Sequence, residues 1–164
     1  MKLLFIGSRL YDDINWYVKE KNIESILTES NEEAINLDLP DQVFMVPRGM
    51  EGPKQVALMQ NVDAIVPLIG IDPPLIDVAY MKEEIEKEYN IPVIAAGIRA
   101  VDLTSDKIKT KSFYDEINVV TPTYQILNDP EDLTLDFPVV LKQGHGQGGR
   151  ELTQIGRASC RERV

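Results

Sequence analysis

FPVVLKQGHGQGGR, residues 137–150, decides how the rest of the chain is read. A β-type run ends in Lys142, and the residues after it include Gly144, Gly146, Gly148 and Gly149. A lysine at the end of a buried strand needs an anion to offset its desolvation, and glycines let main-chain N–H groups approach that anion closely. The pattern points to a polyphosphate. It is not a P-loop, in which the lysine follows the glycines and is succeeded by Ser or Thr.

Upstream of this stretch, strand and helix signals alternate. KLLFIGS reads as a short buried parallel strand. INWYVKEKN places Ile14, Tyr17 and Val18 on one helical face. ESILT is a second strand, after which Ser30 and Glu33 form a capping-box pattern for another helix. QVFMVP is a third strand, with Pro53 opening the helix PKQVALMQ. VDAIVPLIGI is a fourth strand ending at Pro67, and Asp72, Pro73 and Pro74 start the amphipathic LIDVAYMKEEIEKEY, with Asp72 as its cap. IPVIAAG is the fifth strand. Strands separated by helices predict an α/β fold with a doubly wound parallel sheet.

Ligands of such sheets sit at the carboxyl ends of the strands. Those ends carry Gly7, Ser8 and Arg9; Thr28 and Glu29; Pro47, Arg48 and Gly49; Gly70, Ile71 and Asp72; and Gly97 and Arg99. Glu29 stands where a dinucleotide fold has its ribose-binding acid, so a Rossmann-type oxidoreductase is an alternative. Against it, the first turn, GSRLYD, has one glycine where the fingerprint has three. The arginines suit an anionic substrate or simple solvation.

After Gly97 the pattern changes, which sets a domain boundary near residue 100. IRAVDLTSDKIKTKSFYDEI is helical in its second half, with Ser105 as cap; NVVTPTYQIL is extended; NDPEDLTLD is an acidic, turn-rich stretch. With 27 acidic and 17 basic residues the net charge is -10, which repels nucleic acid and anionic membranes. No apolar run approaches the ~20 residues needed to cross a bilayer, and MKLLFIGSRLYDD turns polar too early for a signal peptide, so the chain is read as cytoplasmic. The last ten residues, IGRASCRERV (155–164), match the translation of a sequencing adapter and are set aside as non-native. They hold the only cysteine, Cys160, so disulfides and thiol chemistry are excluded for the remainder.

Residues 105–150, with SDKIKTK, VVTP and FPVVLKQGHGQGGR in that order, resemble the start of an ATP-grasp domain, and the five preceding strands resemble the pre-ATP-grasp domain that accompanies it. Within that superfamily the chain is most similar to the large-subunit type of carbamoyl-phosphate synthase. The resemblance implies a Rossmann-like pre-ATP-grasp domain over residues 1–100 and the truncated beginning of an ATP-grasp domain over 101–154. It assigns nucleotide binding to Lys107, in the Asp106–Lys107 pair, with Lys111 ranked second; to Lys142; and to a phosphate-covering loop containing Gly144, Gly146, Gly148 and Gly149. Gln143 departs from the family, which more commonly has proline there. Read singly, Lys107 is equally a solvated helix lysine, Lys142 a snorkelling one and the glycine run a β-turn. His145 reads as an exposed loop residue rather than a base.

The implied full-length protein is an ATP-dependent carboxylate–amine or bicarbonate ligase working through an acyl phosphate. Its partners are ATP, Mg²⁺ and a small carboxylate or bicarbonate, and a homo-oligomer is compatible with this reading. The metal ligands are expected beyond this sequence, so the fragment itself is expected to bind ATP weakly, to be inactive and to be poorly soluble. A non-catalytic nucleotide sensor of the same fold is the other alternative.

Overall fold

The computed structural model describes residues 1–70, 72–145 and 153–155. The chain divides into two compact units, Met1–Val101 and Asp102–Val164.

The first unit is built on four parallel strands, β1 (Lys2–Ile6), β2 (Glu24–Glu29), β3 (Gln42–Met45) and β4 (Ala64–Pro67), in the spatial order β3-β2-β1-β4. Side chains alternate between the faces of a strand, so each strand feeds two cores. On one face Leu4, Ile6, Ile26 and Ile65 meet Val56 and Ala57 of α2 (Glu51–Gln60) and Met81 and Ile85 of α3 (Asp72–Tyr89). On the other, Phe5 and Leu27 meet Tyr11 and Val18 of α1 (Tyr11–Glu20). The Phe5 and Tyr11 rings pack edge to face, with centroids 5.3 Å apart. Helices on both faces of a parallel sheet are the doubly wound arrangement expected from the alternation of elements.

Several local expectations are corrected. The Ser30/Glu33 pattern starts no helix: residues 31–40 form turns. Here the Ser30 N–H donates to Glu29 and the Glu33 N–H to the Asn31 side chain, and Asn36 takes a φ of +64° that no α-helix admits. The fifth strand shrinks to a single parallel bridge between Val93 and Ile65. Pro92 within IPVIAAG has no N–H to donate to a ladder. On α1 the buried pair is Tyr11 and Val18, while Tyr17 is 48% exposed beneath the Lys21 ammonium. α2 begins at Glu51, two residues before Pro53. There Gly52 lets the helix approach the chain just past β3 closely, since a Cβ would lie 2.7 Å from that of Val46.

In the second unit, α5 (Lys107–Glu116) is capped by Asp106 rather than Ser105: the Asp106 carboxylate accepts from the N–H groups of Ile108 and Lys109. The first half of IRAVDLTSDKIK is also helical, as α4 (Ile98–Thr104). NVVTPTYQIL joins no strand. In the acidic stretch, Asp129 caps a single 3₁₀ turn, Pro130–Asp132. β5 (Val139–Leu141) and β6 (Thr153–Ile155) pair antiparallel, with Leu141 opposite Thr153. The glycine-rich stretch therefore connects two paired strands.

Candidate functional site

Two places in the molecule gather the residues singled out above. In the second unit, the N–H of Lys107 donates to the carbonyl of Gly144 at 2.9 Å, which joins the two motifs at the first turn of α5. Gly144 rests on Ile108, whose Cδ1 lies 3.5 Å from where a Cβ would sit. His145 follows with its Nδ1 3.3 Å from the carbonyl of Ser105 and its Nε2 3.8 Å from the Asp106 carboxylate, while most of its side chain remains exposed. Burial pushes the Asp106 carboxyl up, but the Ile108 and Lys109 N–H groups, with His145 and Lys109, hold it below the usual carboxylate range.

Lys107 is half-buried and Lys142 is exposed. Lys142 stands just past β5, whose central residue Val140 is itself 48% exposed, so the strand is not buried and desolvation does not demand an anion at Lys142. Lys142 still places a cation beside a glycine turn packed on a helix start, where amide dipoles favour negative charge. Lys111 lies on the same helix, its ammonium 5.1 Å from the centre of the Tyr124 ring. Gly146, Gly148 and Gly149 lie outside the described residues, as do Ile71, the Asp72 side chain and Cys160. Among the described residues, no three His, Cys, Asp or Glu side chains gather as a metal site.

In the first unit, a cavity of about 500 Å³ opens at the carboxyl ends of the strands, lined by Gly7, Glu29, Arg48, Met50, Ile69 and Asp77 among others. A second, of about 380 Å³, shares Ile69 and includes Arg9. The order β3-β2-β1-β4 reverses between β1 and β4, and the smaller cavity, with Arg9 after β1 and Leu68 after β4, lies at that switch point, while the larger follows the ends of β1, β2 and β3. Gly7 turns the chain there with a φ of +88° that other residues adopt at a cost. Glu29 holds this turn, accepting from the N–H and hydroxyl of Ser8 through one oxygen and from the N–H groups of Ser30 and Asn31 through the other. Burial raises its pKa, but those hydrogen bonds outweigh it and hold the carboxyl below the ordinary glutamate value. A carboxylate so engaged is poorly placed to bind a ribose. Ser8, whose hydroxyl makes this lock, carried no signal in the sequence beyond its place in the turn.

No protein-family model matches the chain. A carbamoyl-phosphate synthase of Methanobrevibacter smithii is 73% identical over 155 residues, which are 93% of this chain and 42% of that protein. Over those residues the chain is a relative of that carbamoyl-phosphate synthase. It spans less than half the length of that relative. ATP-grasp enzymes also share its fold: N5-carboxyaminoimidazole ribonucleotide synthetase of Thermotoga maritima has a TM-score of 0.71 at 16% identity, covering 99% of this chain and 43% of its own. A biotin carboxylase–β,γ-ATP complex from Campylobacter jejuni likewise has a TM-score of 0.71 at 22% identity, covering 98% of this chain and 39% of its own. The expected α/β class with a parallel sheet stands, and the solved structures match it through their N-terminal part. No helix among the described residues is long and apolar enough to cross a membrane.

Proposed function

We propose that the chain is the N-terminal part of a cytoplasmic, ATP-dependent ligase of the carbamoyl-phosphate synthase type. Its domains are the pre-ATP-grasp domain (1–100) and the beginning of the ATP-grasp domain (101–154). An oxygen of bicarbonate or a small carboxylate attacks the γ-phosphorus of ATP and ADP leaves; an amine then attacks the acyl carbon and phosphate leaves. The observation that carries this reading is the hydrogen bond from Lys107 to Gly144, which brings the first lysine motif to the start of the glycine-rich connection.

Lys107 and Lys142 offset the charge of the nucleotide phosphates, and Gly144, with Gly146, Gly148 and Gly149, presents main-chain N–H groups to them. Such groups accelerate transfer only so far as they hold the phosphoryl charge better in the transition state than in the ground state. Mg²⁺ would neutralise further charge, and its ligands are assigned to the part of the protein beyond this sequence.

The test is ADP release, dependent on bicarbonate or carboxylate, by the longer protein that carries this sequence. Lys142→Ala is expected to lower turnover by about a hundredfold or more. Unchanged turnover in that variant removes Lys142 from the site. The chain of 164 residues alone is expected to release no ADP, and measurable turnover by it would overturn the assignment of essential groups to the missing part.

A further inference from the structure

The cleft of the first unit carries a charge pattern that the nucleotide reading does not use. Acidic residues outnumber basic ones in the chain, and Lys2, Lys19, Lys21, Lys54 and Lys82 each pair with a carboxylate. Arg48, on the lining of the 500 Å³ cavity, pairs with none among the described residues despite that surplus. Asp77, from α3 on the same lining, is equally without a partner there, and the two do not reach each other. The third charged residue of the lining, Glu29, is engaged by Ser8, Ser30 and Asn31. The same lining includes the apolar Met50, Pro53 and Ile69.

We propose that this cleft binds a zwitterion with an apolar body, of the α-amino acid class, its carboxylate toward Arg48 and its ammonium toward Asp77. The volume lies within the range of small-molecule sites, roughly 300–1,000 Å³, and an ion of bicarbonate size would leave most of it empty. An arginine fork matches a carboxylate in two parallel hydrogen bonds, and an isolated aspartate suits an ammonium. The location suits a ligand, since the cleft stands outside the carboxyl ends of the parallel strands, where open α/β sheets hold theirs. The proposal needs neither ATP nor turnover.

The experiment is saturation-transfer NMR on the 164-residue chain without nucleotide, with L-norleucine as probe and with hexanoate and pentylamine, which each lack one of its two charges. Norleucine is expected to bind, and each analogue about tenfold more weakly, the loss of one charged contact. Arg48→Ala and Asp77→Ala are each expected to weaken norleucine by about the same factor, and Arg48→Lys to recover only part of that loss, since an ammonium cannot make the two parallel hydrogen bonds of the fork. Both residues are exposed, and circular dichroism checks that the variants keep the fold. Absence of norleucine binding, equal binding of hexanoate, displacement by inorganic phosphate, or indifference to both alanine variants would each overturn the proposal. None of these outcomes bears on Lys107 or Lys142, so this site and the nucleotide reading fail separately.

Discussion

The Glu29 carboxylate shows how a correct position in the sequence can acquire a different task in the fold. Its distance from the first turn matches a ribose-binding acid, yet it turns back on Ser8 and closes its own loop. Spacing alone shows neither the hydroxyl that folds back nor the N–H groups of Ser30 and Asn31 that fill the other oxygen. Its depressed pKa means the folded state favours the charged form. The resulting stability is complete above the ordinary glutamate value of about 4.3 and is lost as pH falls through the lower folded value. Glu29→Gln is therefore expected to destabilise the protein by about 1–2 kcal/mol at neutral pH, with the gap from the parent narrowing under acid. Urea denaturation at neutral and acidic pH measures it, and a gap of constant size would show that the charge of Glu29 is not what matters.

Most strands and helices were legible because periodicity records burial, but their ends were less so. Asn22, Asn61, Asn90 and Asn118 take positive φ at or just past the ends of α1, α2, α3 and α5, a role more often given to glycine, so these stops are inconspicuous in the sequence. The segment after Ser30 has the letters of a capping box, but local side-chain bonds keep it as turns. At the candidate nucleotide site, both lysine motifs could be picked out by residue type, whereas their meeting through Lys107 and Gly144 depends on the fold around the Asp106 cap. Gly52 sets a test for the packing of α2. Alanine is the better helix former by about 1 kcal/mol, but its Cβ would stand 2.7 Å from that of Val46. Overpacking of this kind costs about 1–3 kcal/mol, so Gly52→Ala is expected to lower the melting temperature; a rise would mean that α2 shifts freely against Val46.

At the scale of the whole molecule, charge acts against compaction. With a net charge of -10 the surface repels itself, and salt screens that repulsion over a Debye length that falls from about 30 Å at 0.01 M to about 8 Å at 0.15 M. Raising sodium chloride across that range is expected to raise the melting temperature by a few degrees, as read by calorimetry. A fall would show that exposed pairs such as Lys2–Glu24 and Lys19–Asp41 outweigh the global repulsion. The strand order has a consequence of a different kind. β1 lies between β2 and β4, and the backbone N–H of Lys2 reaches the Asp63 carboxylate 61 residues further along. During synthesis, the earliest of the four strands waits with one edge bare until β4 has left the ribosome. In that interval pairing with a neighbouring nascent chain competes with correct assembly.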